Sequence, residues 1–262
     1  MSVETQPRSV SQVQQYEECG WRYYLARVER VTPRPAAWSF HGSAFHAVAE
    51  AVVLSNGRMT AEEAVEAFSD KYARLVQDAL DIEPDTDRWL SSGRYSGGEE
   101  IERRYVLGQE QTAQYVDWVA EHRPEVWTTP AGKPAVELGF TVELGGVVVR
   151  GIIDLLVMEA DGDAVRVRDL KTGSIKSRFQ LETYAVAIES LYDVPVRRGD
   201  WYLAKDGRLS RPVALDQVSP AEVGERYATM DAGVKAGRFE ANPGYGCRFC
   251  DVSHGCFFYA TS

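Results

Sequence analysis

Gly151-Ile152-Ile153-Asp154-Leu155-Leu156-Val157-Met158-Glu159-Ala160-Asp161-Gly162-Asp163-Ala164-Val165-Arg166-Val167-Arg168-Asp169-Leu170-Lys171 is the stretch that decides how this chain is read. Asp161-Gly162 is a strong hairpin signal, because both residue types tolerate the positive φ of a tight turn. β-prone residues lie on both sides of it, so two antiparallel strands are expected. With Asp161-Gly162 as a two-residue loop, position 154 falls opposite position 169. Asp154 and Asp169 would then face each other directly, with Cβ atoms ~5 Å apart. Lys171 lies two residues on and points to the same sheet face. Two carboxylates and an amine thus converge beside apolar Ile152 and Leu156.

Like charges directly opposite on a sheet repel, and partial burial raises the cost. A divalent cation resolves this, since Mg2+ and Mn2+ prefer carboxylate oxygen. Such a cation polarises a phosphoryl group and lowers the pKa of a bound water. Lys171 could orient that water or stabilise charge on phosphate oxygens. The plain alternative is a surface ion pair, Asp169 with Lys171, beside a solvated Asp154; the register argues against it.

Working outward, Val136, Leu138, Phe140, Val142 and Leu144 alternate strictly, as in a half-buried strand. Gly145-Gly146 marks a turn, Val147 to Met158 is nearly continuous β-prone sequence, and Ala164 to Lys171 completes a three-stranded meander. Arg178 to Tyr192 returns to helical spacing. Trp201 to Lys205 and Leu209 to Val213 read as short strands, and Ser219-Pro220-Ala221-Glu222 opens a helix running to about Gly237. Upstream, helices are expected over Ser9 to Arg30, Gly42 to Leu54, from the capping box Thr60/Glu63 onward, and over Ile101 to His122, with a turn-rich Asp81 to Gly98. The sum is an α/β or α+β core with a helical, acidic insertion before the sheet.

The 262 residues, 44% hydrophobic and 26% charged, suit a globular chain with a sizeable core and exclude disorder, collagen and coiled coil as whole-chain descriptions. No run approaches a membrane span. Met1 to Arg8 is polar and lacks an apolar signal core, so a cytoplasmic protein is expected. The net charge of −10 argues against a general basic coat for nucleic acid. Thr60 to Glu125 holds 16 acidic and 7 basic residues, almost the whole excess, so a local basic groove stays possible elsewhere.

Four cysteines are present: Cys19, Cys247, Cys250 and Cys256. Without a signal peptide, metal or cluster ligands fit better than a disulfide framework. Four thiolates satisfy an iron–sulfur cluster or zinc. A rival set, Cys247, Cys250, His254 and Cys256, would form a C-terminal zinc site and leave Cys19 a bystander. Gln180 and Tyr184, at i and i+4, share a helix face and offer an amide and a phenol to a phosphate or base, or simply a polar helix start beside a core tyrosine. His46 sits on an otherwise apolar helix, where a histidine is more often structural than a ligand.

In order, Gly42-x-x-x-His46, Glu137 at a strand start, Gly151-x-x-Asp154, Asp169-Leu170-Lys171 and Gln180-x-x-x-Tyr184 resemble the RecB-like branch of the PD-(D/E)XK nuclease superfamily. One cysteine near the start and three near the end are similar to its iron–sulfur exonucleases, the CRISPR-associated RecB-like (Cas-four) family and the AddB-type helicase–nuclease subunits. The context Tyr16-Glu17-Glu18-Cys19-Gly20-Trp21-Arg22-Tyr23-Tyr24 is also similar, with Gly20 where proline is usual. The resemblance implies a restriction-endonuclease-like core with a mixed central sheet and flanking helices. It implies one nuclease domain over 1–262, with 58–125 as the helical insertion and residue 19 plus 240–262 as the cluster region. His46, Asp154, Asp169 and the Leu170 carbonyl would be ligands for Mg2+ or Mn2+, and Lys171 the catalytic lysine. Gln180 and Tyr184 would touch DNA, Glu137 would support, and Cys19, Cys247, Cys250 and Cys256 would hold a [4Fe–4S] cluster. Single-stranded DNA ends would be the substrate, cut to 5′-phosphate products. Arg22, Arg27, Arg30, Arg34, Lys176 and Arg178 are expected along the backbone path, with some of Trp21, Tyr23, Tyr24 and Trp38 stacking on bases. Protein partners in a recombination or CRISPR adaptation complex are compatible with this, as is a noncatalytic subunit of such a complex.

Overall fold

The computed structural model describes residues 6–259. The first five positions, part of the polar N-terminal stretch, and the last three of segment 240–262 lie outside the described residues.

Among the described residues, six strands form one mixed sheet. β1 (Val136–Leu144) and β2 (Val147–Met158) make an antiparallel hairpin about Gly145 and Gly146, whose φ values of 58° and 75° favour glycine. β2 pairs antiparallel with β3 (Val165–Lys171), and β3 runs parallel to β4 (Val196–Leu203) through the crossover helix α6 (Phe179–Tyr192). β5 (Arg208–Leu209) and β6 (Val213–Ala214) both pair antiparallel with β4. The single strand expected over Leu209 to Val213 is therefore two short ones. β4 also starts five residues before the expected Trp201. Its first half, Arg197-Arg198-Gly199-Asp200, is too polar to read as a central strand. Its charges are paired: Asp200 accepts two hydrogen bonds from Arg168 at 2.7 and 2.9 Å, and Arg198 donates to Glu159.

The β2–β3 register matches the turn argument: Met158 lies opposite Val165 and Leu155 opposite Arg168. The loop itself has four residues, not two. Glu159 N–H donates to the Ala164 carbonyl at 2.9 Å and closes residues 160–163, with Gly162 at φ 79°.

Upstream, α1 (Val10–Glu18) stops at Cys19 instead of running to Arg30. Cys19 is extended, and its Sγ accepts the Arg22 N–H at 3.5 Å, which starts α2 (Gly20–Tyr23); a wider turn over Tyr24–Val28 follows. α3 (Ala37–Leu54) begins before Gly42, and α4 (Ala61–Ile82) has the expected capping box. α5 (Gly97–His122) starts earlier than expected because Ser96 and Glu99 form a second capping box. α7 (Pro220–Lys235) opens on Ser219 as expected.

The sheet has apolar residues on both faces. On one, Leu138, Phe140, Val149, Ile153 and Val167 pack with residues of α1, α6 and α7 such as Val13, Leu181 and Tyr227. On the other, Val136, Leu155, Val157, Leu170 and Tyr202 pack with Phe45, Phe68, Tyr72 and Tyr115 of α3, α4 and α5. That second layer covers only part of its face. Gly139, Thr141, Val148, Arg150 and Ile152, alternating along the far halves of β1 and β2, stay exposed. Among the described residues, no helix is long and apolar enough to cross a membrane.

Candidate active site

The two apolar layers exchange sides at one step of the β1–β2 hairpin. Residues i and i+2 of a strand share a face. Yet Val136 and Leu155 belong to the α3–α5 layer, while Leu138 and Ile153 belong to the α1–α6–α7 layer. Between these two ladder pairs stand Glu137 and Asp154. Glu137 takes φ 45°, the left-handed region, at a cost on the order of 1–2 kcal/mol for a side chain with a Cβ. The strands roll over at this point, and both carboxylates turn toward α3.

The β2–β3 ladder ends at Leu155–Arg168, one step short of Asp154 and Asp169. This corrects the expected directly opposed ladder pair. Asp154 reaches across the gap instead, its Oδ2 accepting the Leu170 N–H at 2.7 Å. The two carboxylates remain electrostatic neighbours. Burial, then the Asp154 charge, pushes the Asp169 carboxyl up to about 7, against the pull of Lys171 and His46. Both Asp169 oxygens are buried with no hydrogen-bond partner among the described residues, Oδ2 having only the charge of Lys171 beside it.

α3 brings His46 to this cluster. Gly42, one turn earlier, lets the helix approach the end of β3, since a Cβ there would stand 3.3 Å from Thr172 Oγ1. His46 Nδ1 lies 3.5 Å from Glu137 Oε1 and 3.5 Å from Asp154 Oδ1, and Nε2 lies 3.1 Å from the Leu170 carbonyl oxygen. Burial pulls the imidazole pKa down, but the two carboxylates outweigh it and raise it to about 10. His46, Glu137 and Asp154 form the one group of three, among the described residues, whose donor atoms all lie within 4.8 Å of one another. An imidazole, two carboxylates, and next to them a buried Asp169 oxygen without a donor suit a hard divalent cation. Glu137, expected only to support, thus stands level with His46 and Asp154. The signal was available: a turn centred on Gly145-Gly146 places residue 137 opposite residue 154.

Lys171 Nζ lies 2.8 Å from Asp169 Oδ2 and donates to Gln180 Oε1 at 2.9 Å. Gln180 Nε2 donates to Tyr184 Oη at 2.8 Å. Tyr184 is buried, its phenol held well above the usual range by burial and by the charges of Asp154 and Asp169. Phe140 meets the Tyr184 ring edge-on at 5.8 Å and lies over Gly151, where a Cβ would come within 2.6 Å of it. That Phe140 and Gly151 support this chain of contacts is not legible from residue type, because cross-strand packing depends on register.

The basic residues expected along a backbone path are largely engaged elsewhere. Arg22 pairs with Asp251 and Glu18, Lys176 with Glu18, Arg178 with Glu182, and Arg34 donates to the Cys250 carbonyl and Ser253. Tyr23 is core, and Trp21 stacks on Tyr24 at 4.9 Å. No three of the four cysteine sulfurs meet the 4.8 Å separation, so a closed thiolate site is not shown. All four line one cavity of about 680 Å3, which His254 does not line.

The fold and the carboxylate–histidine–lysine cluster match a known class: the chain belongs to the PD-(D/E)XK nuclease superfamily, whose family model matches residues 7–257. It is 41% identical over 259 residues to the Gene 69 protein of Mycobacterium phage D29, covering 95% of this chain and 96% of that protein. The Gene 69 protein of Mycobacterium phage L5 is 40% identical over 278 residues, covering 95% of each. These names establish relatives in phages and the superfamily, not the RecB-like or CRISPR-associated branch.

Proposed function

We propose that the protein is a metal-dependent deoxyribonuclease that hydrolyses phosphodiester bonds at DNA ends, with single strands preferred. The observation that carries this reading is the meeting of His46, Glu137 and Asp154 within 4.8 Å, beside Asp169 and Lys171. Superfamily membership supports a nuclease and DNA as its substrate; the preference for single-stranded ends rests on the RecB-like resemblance of the motifs.

His46, Glu137, Asp154, Asp169 and the Leu170 carbonyl would hold Mg2+ or Mn2+. When bound, the cation supplies Lewis-acid polarisation of the phosphate and a water of lowered pKa. Lys171 has three N–H donors; one goes to Gln180, the ammonium pairs by charge with Asp169, and a donor is left for a phosphate oxygen or the attacking water. Tyr184 accepts from Gln180 and keeps its own O–H to donate to the substrate. Asp169 holds the ammonium in place, so Lys171 meets the developing charge without reorganisation.

Cys19, Cys247, Cys250 and Cys256 are proposed as ligands of a [4Fe–4S] cluster. A cluster takes one thiolate at each iron, so its sulfurs surround a volume instead of touching. The shared cavity supports this, as do N–H donors to sulfur: Arg22 and Asn242 to Cys19, and Gly244 to Cys247. The cluster would be structural. We read the chain as one nuclease domain in which 58–125 is an inserted helical layer.

The test is cleavage of a labelled single-stranded oligodeoxynucleotide with Mn2+ or Mg2+. Metal-dependent shortening that EDTA stops, and that Asp154→Asn loses, is expected. Binding without any cleavage, under either metal, would overturn the catalytic reading and leave a DNA-binding subunit.

A further inference from the structure

Part of one sheet face lies open beside the site. On β2, Val148, Arg150 and Ile152 form a row whose next same-face position is Asp154. Opposite them on β1 stand Glu143, Thr141 and Gly139. Ile152 is 54% exposed although apolar. Gly139 faces it without a side chain, and a Cβ there would meet nothing within 4 Å, so Ile152 stands clear of its neighbour. Arg150 makes no ion pair among the described residues, in a chain of 39 acidic and 29 basic residues where many surface cations are paired. A groove of about 790 Å3 lined by Gly139, Thr141, Arg150 and Ile152 is also lined by Gln180 and Tyr184 of the candidate site.

Same-face neighbours on a strand are roughly 7 Å apart, so Arg150 stands about 13 Å along the strand from Asp154. We propose that this open ribbon carries the DNA strand that is cut: Ile152 covers the sugar or base next to the scissile phosphate, and Arg150 pairs with a phosphate farther along. The inference rests on the nuclease reading of the site. Two features favour a nucleic-acid strand as the occupant. The groove reaches Gln180 and Tyr184, and Gln180 accepts from Lys171 of the candidate site, while Arg150, with no ion pair among the described residues, is complementary to phosphate. An unpaired base offers an apolar face to Ile152, which a base stacked within a duplex does not. Exposed Glu143 marks where the path leaves the ribbon.

The test is fluorescence anisotropy of a labelled oligodeoxythymidylate on the full chain in EDTA, at several salt concentrations, with Mn2+-dependent cleavage followed in parallel. Arg150→Ala is expected to weaken binding on the order of five- to tenfold and to reduce the log–log salt slope by about 0.7, the release expected for one contact to a single strand. Ile152→Ser is expected to weaken binding severalfold and leave that slope unchanged. Ile82→Ser, on α4 away from the ribbon, should bind as wild type does. If the Arg150 and Ile152 variants bind like wild type while wild type binds and cleaves, the ribbon is overturned and the nuclease reading stands. If wild type binds, both variants show their expected effects and nothing is cleaved, the nuclease reading fails and the ribbon stands. A wild type that neither binds nor cleaves overturns both.

Discussion

Glu137 keeps a left-handed backbone at φ 45° in order to aim a carboxylate at His46. Glycine tolerates that conformation freely, so Glu137→Gly should gain about 1 kcal/mol of folding stability in urea titration. The same variant should lose the proposed metal-dependent cleavage, since it deletes a proposed ligand. A variant less stable than wild type would contradict the strain argument. Lys171→Ala should lower turnover 100- to 1000-fold, on the scale of removing one donor to a developing oxyanion. Its melting temperature should stay near that of wild type, because Lys171 is partly exposed. Full activity in that protein would falsify its placement in the chemistry. Asp154, Asp169 and Lys171 were legible because a turn fixes a register. The roll at Glu137 was not, because a single φ leaves no trace in residue type.

Elements add supports that no motif encodes. Gly151→Ala would push Phe140 against Tyr184 and so disturb Gln180 and Lys171. Single-turnover cleavage should slow on the order of 10- to 100-fold with the fold retained, as a misplaced catalytic group does. The α3–α5 contact contributes to acid stability. Burial, then the charge of Arg104, lowers the His41 pKa to about 4. The unfolded chain therefore takes this proton first, and stability present above pH ~6.5 is lost as pH falls toward 4. Glu100 acts lower: burial pushes it up, but hydrogen bonds from Arg103, Ser92 and Arg104 outweigh that and hold it at about 2. Its contribution is complete above its ordinary pKa of 4.5 and is lost as pH falls toward 2. Urea midpoints for wild type should drop between pH 7 and 5, and His41→Phe should flatten that drop; equal slopes for both proteins would contradict the assignment. Helix starts were legible at Thr60, where the capping box is complete, and at Ser219, whose Oγ accepts the Glu222 N–H ahead of Pro220. The Ser96 box is hidden in the sequence by Gly97-Gly98, which follows it and reads as a loop. Likewise β4 was hidden by charges whose partners lie on other strands.

At the scale of the whole molecule, the two ends of the described chain are pinned together. Tyr16 donates to the Arg238 carbonyl at 2.6 Å, Trp21 N–H to the Glu240 carbonyl at 3.1 Å, and Arg22 to Asp251 at 2.9 Å. Gly20 is buried against Glu240, where a Cβ would come within 2.8 Å of its backbone, which accounts for glycine after Cys19. A cluster bridging Cys19 to the C-terminal cysteines would close a very long loop and restrict the unfolded chain. Anaerobically purified protein should be brown, with about four iron and four sulfide per chain. Cys19→Ser should lose the colour and melt at lower temperature; a colourless wild type with one zinc, indifferent to Cys19→Ser, would assign the C-terminal zinc site instead. The cysteine count was legible, but the cavity that all four line depends on strand and helix packing across more than 200 residues.

His46, Glu137, Asp154 and Asp169 are proposed to grip one divalent cation at which DNA is cut. Anomalous diffraction from crystals soaked in Mn2+ tests it most directly. A manganese peak in bonding contact with these side chains, absent in Asp154→Asn, is expected. A peak bound elsewhere, with none at this cluster, would contradict it.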